Sequence, residues 1–289
     1  MTRKFDHLVL CAEDLDRARQ FYDAIGFTLT PRARHPFGTA NSLVQLQGNF
    51  LELLSIADPA LIPKVEPGKF SFAAYNETFL KKREGFSMLV FATSDAAADA
   101  AEFKKNRLSD YDVFHFGRQA TLPDGSKAQV DFSLAFVTNP AMPEAAFFTC
   151  QQHAPQYFWR PEFQRHANGA IRIVEAVMSA ARPDEHKSFL EPLMQAPARV
   201  SSAGLSIGEG GERLTVLNHA GLAARFPEIP HSHSGDAPRL EAYGIEVADL
   251  DAAKALLTSA SVAFRSTPRS LVVPPSAAFG AAIEFKAPA

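Results

Sequence analysis

Phe5-Asp6-His7-Leu8-Val9-Leu10-Cys11 and Asn49-Phe50-Leu51-Glu52-Leu53-Leu54 bound the part of the chain whose reading decides the fold. Period-two alternation in the first stretch puts His7, Val9 and Cys11 on one strand face. Glu13-Asp14 follows as an acidic turn, and Asp14 suits the N-cap of a helix over Leu15–Ala24. Ala18, Phe21, Tyr22 and Ile25 recur at helical spacing, and Gly26 stands where a C-cap glycine belongs. Strands are predicted at 27–30, 42–47 and 49–56. The unit therefore reads strand–helix–strand–strand–strand, with a histidine on its first strand and a glutamate on its last, about 45 residues apart, facing one cavity.

The same order recurs along the chain. Laying Asp95 over Asp14 puts Leu89-Val90-Phe91 over Leu8-Val9-Leu10. An Ala-rich helix follows over Ala96–Lys105, then strands near 113–119, 128–135 and Ala146–Gln152, with the turn Pro123-Asp124-Gly125 among them. A third unit opens at Ile171-Arg172-Ile173-Val174-Glu175, continues in a helix near 183–194 that sets Phe189 where Phe21 stood, and closes at Arg213–Leu217. The fourth opens at Leu240-Glu241-Ala242-Tyr243, is capped by Asp249 and closes at Ile283-Glu284-Phe285, which matches Leu51-Glu52-Leu53. One such unit is too small to bury its own sheet face, so two pair into a curved cup. The expected fold is α+β: four βαβββ modules in tandem, forming two curved mixed-sheet half-barrels. The expected domains are residues 1–156 and 170–289, joined by a linker at 157–169. The stretch 58–84 reads as a long connection and 227–238 as irregular.

Composition narrows the function classes. Of 289 residues, 46% are hydrophobic, which suits a packed core and argues against disorder. The 24 Phe against one Trp suggest cores or pockets walled by phenyl rings. A formal charge of −3 and a pI near 6.3 give no reason to expect nucleic acid or an anionic membrane. No apolar run approaches the ~20 residues that span a bilayer. Cys11 and Cys150 lie far apart, and Met-Thr-Arg-Lys-Phe leads straight into a strand, so a reduced cytoplasmic protein is expected, as monomer or homodimer.

These stretches carry a family resemblance. Asp6-His7-Leu8-Val9-Leu10 with Asp14, Phe21-Tyr22 and Gly26-Phe27 resembles the first strand and helix of the vicinal oxygen chelate superfamily, which includes glyoxalase I, extradiol dioxygenases and bleomycin-resistance proteins. Phe50-Leu51-Glu52-Leu53-Leu54 is similar to its closing strand. The run from Phe148-Thr149-Cys150 through Trp159-Arg160-Pro161 to His166-Ala167-Asn168-Gly169 resembles the glyoxalase-like branch.

The resemblance implies a divalent metal (Zn, Ni, Fe or Mn) held from the first and last strands of two paired units. Carried over, this assigns His7 and Glu52 in unit one, while unit two offers Met88 and Thr149, neither a ligand for a hard ion. His153 could complete the set from the strand face that carries Thr149 and Gln151. The C-terminal pair offers Glu175, Ala242, Thr215 and Glu284, two carboxylates able to hold Mg²⁺ or Ca²⁺ weakly, or a cup that has lost its site. Without a metal, Glu52 becomes a candidate general base of raised pKa. Arg118, Gln129 and Trp159 are candidate substrate-binding residues. The bland alternatives are a half-buried His7 bonded to a carbonyl and a Glu52 on the solvent face. His231-Ser232-His233 reads as a surface loop and Gly208-Glu209-Gly210-Gly211 as a hairpin turn. The implied function is a glyoxalase-like protein acting on a small oxygen-bearing metabolite by isomerase, lyase or hydrolase chemistry. A metal-free binding or resistance protein, or a degenerate dioxygenase relative, stands as the alternative, so whether the chain is an enzyme is left open.

Overall fold

The computed structural model describes residues 2–121, 127–208, 211–230 and 237–288; Asp124-Gly125, Glu209-Gly210 and His231-Ser232-His233 lie outside the described residues. The first half runs β1 (Phe5–Cys11), α1 (Leu15–Ala24), β2 (Ala33–Arg34), β3 (Thr39–Gln45), β4 (Phe50–Ile56), α2 (Phe72–Leu80), β5 (Gly85–Thr93), α3 (Ala96–Lys105), β6 (Phe114–Thr121), β7 (Lys127–Thr138), β8 (Ala146–Gln152) and α4 (Pro155–Phe158). The second half runs β9 (Ala170–Ser179), α5 (Lys187–Met194), β10 (Ala198–Ser201), β11 (Gly204–Ile207), β12 (Arg213–Leu217), α6 (His219–Arg225), β13 (Arg239–Val247), α7 (Leu250–Ser259), β14 (Arg265–Ser266), β15 (Ser270–Val273) and β16 (Ala282–Lys286).

Each half is one mixed eight-stranded sheet, ordered β2-β3-β4-β1-β5-β8-β7-β6 and β10-β11-β12-β9-β13-β16-β15-β14. In each module the first and last strands pair parallel, and the two modules join through their first strands, antiparallel, at β1–β5 and β9–β13. This is the tandem βαβββ arrangement read from the repeats. Local chemistry supports it: Asp14, Asp95 and Asp249 each accept backbone N–H bonds at the start of α1, α3 and α7. Gly26 ends α1 at φ +89°, and a Cβ there would lie 2.5 Å from Leu256 Cδ1. Only glycine fits both constraints.

Apolar residues form three clusters. The largest lies between the two sheets, where Tyr22, Phe27, Phe86 and Phe147 from the first half meet Phe285, Tyr243 and Phe189 from the second. A second fills the first cup with Phe37, Phe50, Phe72, Phe132, Phe136, Phe148 and Phe158. A smaller third fills the second cup around Leu222, Phe226 and Ile229. Each buried phenyl contributes roughly 2–3 kcal/mol, so a ring-filled cup is a stable floor for a site.

Three expectations change. Residues 27–30 do not form a strand: Thr30 N donates to Leu43 O at 2.9 Å, but only Ala33–Arg34 enters the ladder beside β3. The stretch 58–84 contains α2, capped by Ser71, whose Phe72, Ala73 and Phe79 plug the first cup. The short strands β10, β11, β14 and β15 complete the second sheet. No helix among the described residues is long and apolar enough to cross a membrane.

Candidate active site in the first cup

The site begins with an irregularity in β1. Phe5 pairs with Phe91 and His7 with Val90, so Asp6 is an extra residue in the ladder. Such a bulge re-aims side chains, and here it sets Asp6 Oδ2 2.6 Å from His7 Nδ1, while Asp6 Oδ1 accepts from Gln152 Nε2 at 2.9 Å. An imidazole that donates Nδ1–H to a carboxylate presents Nε2 as an acceptor, in a fixed orientation. The His7 ring is clamped further by stacking on Phe50, centroids 4.3 Å apart, and by the edge of Phe148 at 5.5 Å.

The parallel register of β1 and β4 puts Val9 beside Glu52, so Phe50, Glu52 and Leu54 share the cup face with His7. His7 Nε2 and Glu52 Oε2 are 3.7 Å apart. That exceeds a hydrogen bond and leaves room for one bridging atom. Glu52 Oε1 accepts from Asn41 Nδ2 at 2.5 Å, and His35 Nε2 lies 4.0 Å from the same oxygen. His35 is fixed by Thr39 Oγ1 at 2.7 Å from its Nδ1. Asp6, His7, His35, Asn41 and Glu52 are all buried, so both bland alternatives fail: His7 bonds a carboxylate and Glu52 faces inward.

Burial raises the Glu52 carboxyl above its ordinary value, with His7 and the Asn41 amide opposing. The same burial, with Arg118 and His7 nearby, lowers His35 to about 3, so it stays neutral. Arg118 closes the far side. It makes no hydrogen bond or ion pair among the described residues; burial lowers it and Glu52 raises it. Cys150 lines the cavity as a thiol, since burial raises it well above the ordinary range. The cavity is about 50 Å³, and seven of its fifteen lining residues are phenylalanines. Leu43, Arg118 and Phe158 also line a neighbouring pocket of about 370 Å³, which carries Arg32, Arg34 and Arg160.

The structure thus brings together His7, Glu52 and Arg118. It does not bring His153 to them. Ser133 alternates with Phe132 and Leu134 of the cup, so it faces outward, and His153 Nε2 bonds Ser133 Oγ there at 2.8 Å, exposed beside His115. Gln129 lies on that outer face too, bonded to Asp131 at 3.0 Å, whereas its neighbour Val130 faces inward. Trp159 packs one layer behind the cavity against Phe50 and Phe158. Register also moves the unit-two equivalent of Glu52 by one residue: Val90 pairs with Phe148 as Val9 pairs with Glu52, so Phe148 rather than Thr149 looks into the cup. A one-residue slip inverts every side chain.

The four positions that would hold the superfamily's metal are therefore His7, Glu52, Met88 and Phe148, two donors and two apolar groups. Among the described residues no group of three His, Cys, Asp or Glu is arranged to hold an ion. The Asn41 amide takes Glu52 Oε1, leaving Oε2 and His7 Nε2 as two donors, short of the three-ligand set the resemblance implies. In the second cup, Glu175 is met by Arg225 at 2.6 and 2.8 Å, Lys286 at 2.8 Å, Arg213 at 3.1 Å and Thr215 at 2.6 Å, and Glu284 by Arg225 at 2.7 Å. Although buried, Glu175 is held far below the ordinary carboxylate range by Arg225 and Lys286. Of the two alternatives for this cup, carboxylates already paired with cations favour a lost metal site over weakly held Mg²⁺ or Ca²⁺.

Comparisons with known proteins agree with this architecture. A hypothetical protein from Staphylococcus aureus superposes with TM-score 0.68 at 13% identity, over 98% of this chain and 99% of that one. A mutant 4-hydroxymandelate synthase from Streptomyces coelicolor gives 0.58 at 11%, over 99% and 92%. A Mn(II)-bound glyoxalase from Novosphingobium aromaticivorans gives 0.59 at 10%, over 99% and 83%. At such identities the likeness shows the fold alone. No curated protein matches. The glyoxalase-like domain model matches residues 5–194, all of the first sheet and the second as far as α5. The chain belongs to the glyoxalase-like domain family.

Proposed function

We propose that the first cup binds a small oxygen-bearing carboxylate and moves a proton on it, in isomerase or lyase chemistry, with Glu52 as general base and acid. The observation that carries this is the line Asp6–His7···Glu52, in which two proton-carrying groups stand 3.7 Å apart at the end of a phenyl-walled cavity. A base works best when its pKa approaches the working pH, and burial moves Glu52 in that direction. His7, oriented by Asp6, offers Nε2 to the same substrate atom. Arg118 is suited to a substrate carboxylate, since its guanidinium has no other described partner. Asn41 Oδ1 is buried with no partner, which favours a ligand carrying a hydroxyl.

The test uses a panel of small 2-oxo and 2-hydroxy carboxylates in D₂O, with chelator present, followed by proton NMR at the carbon beside the oxygen. Exchange should be catalysed for at least one member and fall roughly 100-fold or more in Glu52→Gln. Exchange that is equal in both proteins refutes the assignment. A stoichiometric Zn, Ni, Fe or Mn ion in untagged protein, lost on His7→Ala, would replace it with the metal-assisted reading that the Mn(II)-bound neighbour suggests. Ligand binding without turnover, unchanged in Glu52→Gln, would favour a binding protein.

A further inference from the structure

The second cup also opens into a pocket, of about 600 Å³. Among the described residues that line it, five are cationic (Arg172, Arg199, Arg213, Arg269 and Lys286) and three are anionic (Glu212, Glu246 and Glu284). The carboxylates are spoken for. Glu246 pairs with Arg172 at 3.2 Å, and Glu284 pairs with Arg225 and Lys286. Glu212 accepts from Phe5 N at 2.8 Å and from Asn49 Nδ2, groups of the other half. Two guanidiniums are left over: Arg199 has no described partner, and Arg269 donates only to the Pro288 carbonyl at 2.6 Å. Arg172 keeps its Nε buried without a partner.

Position adds an independent argument. Arg199 stands on the outermost strand β10, and Arg269 precedes β15 at the other end of the sheet, yet both line one pocket. The first half shows the same arrangement: Arg34 on β2 and Arg118 on β6 come from opposite sheet edges to one opening. Ala33-Arg34 and Ala198-Arg199 occupy equivalent strands, so the edge arginine is a feature of both halves. We infer that the second cup is a separate binding site for a small, multiply charged anion, a phosphate ester or a polycarboxylate, gripped between Arg199 and Arg269 over the Arg213–Lys286 floor. Two guanidiniums lining one pocket suit planar, paired hydrogen bonding to such oxygens. The Glu175 network supplies rigidity: it fixes Arg213 and Lys286 from beneath, so the uncompensated charge at this pocket comes from Arg199 and Arg269.

Calorimetric titration with inorganic phosphate and, separately, with citrate tests this, at ionic strength held constant with NaCl. One saturable site per chain is expected for at least one probe, and the probe that binds distinguishes phosphoryl from carboxylate chemistry. Arg199→Ala and Arg269→Ala, both at exposed positions, should each weaken it roughly tenfold or more. Saturable binding by neither probe overturns the inference. So does binding that survives the double variant or vanishes instead in Arg34→Ala, which would move the anion to the first cup.

Discussion

Acidification should destabilise this protein through His35, and by an amount the structure sets. The ring is buried between Phe37, stacked at 4.9 Å, and the edges of Phe72 and Phe116, with Glu52, His7 and Arg118 as its ionisable neighbours. Its pKa falls from 6.5 to about 3 in the folded chain. A depressed value means that the unfolded chain takes up a proton below pH 6.5 that the native state refuses until about pH 3. Stability supplied by the neutral ring is therefore complete above pH 6.5 and drains as pH falls. At about 1.4 kcal/mol per pH unit, the loss between pH 6.5 and 5 is about 2 kcal/mol. Urea unfolding at pH 7 and pH 5 measures it, and the single Trp159, packed on Phe50 and Phe158, reports loss of the cup by fluorescence. His35→Gln loses ring contacts at both pH values, so only the pH-dependent difference is informative. It should be smaller in the variant by about 2 kcal/mol. Equal differences in the two proteins would refute the reasoning.

Other consequences follow from the same geometry. Glu52 has a raised folded pKa, so its contribution is complete below the ordinary carboxylate range and lost as pH climbs through the raised value; Glu52→Gln should gain in Tm over the parent more at pH 8 than at pH 5, and a pH-independent gap would contradict this. Asp6→Asn should slow proton exchange on the bound carboxylate roughly 10- to 100-fold while leaving Tm within a few degrees, because the imidazole loses its orienting anion. Arg118→Ala should raise KM far more than it lowers kcat, as fits a group that binds substrate away from the reacting atom. Gly26→Ala should cost about 1–3 kcal/mol in urea unfolding, since φ +89° and the approach of Leu256 both oppose a Cβ; no loss would show that the turn yields.

The architecture was legible where alternation and capping coincide. Leu8-Val9-Leu10 before Asp14 and Leu89-Val90-Phe91 before Asp95 carry both signals, and both built β–α units. Strands of four residues or fewer at sheet edges, such as Arg265–Ser266, bury too little to impose a pattern. Ala146-Phe147-Phe148-Thr149-Cys150 is buried on both faces, so its residues could not say which side looks into the cup, and the unit-two position slipped by one. The His7–Glu52 pairing was visible because each is a polar side chain in a strand of mainly apolar residues. Asp6 was hidden by the bulge, since regular alternation sends it to the opposite face. His35 and Asn41 reach Glu52 only through the pairing of β2, β3 and β4, a contact across strands that spacing along one strand does not encode. His153 misled because residues beside a cup and residues inside it have the same chemistry in sequence.

The tautomer of His7 is the most direct test of the proposed relay. Long-range proton–nitrogen NMR at pH 7, assigned by loss of the resonances in His7→Gln, reads which ring nitrogen holds the proton without needing a substrate. The account requires hydrogen on Nδ1, held by Asp6, with Nε2 free toward the cavity and its shift altered by Glu52→Gln. Hydrogen on Nε2 alone, or an Nε2 shift insensitive to Glu52, would contradict it.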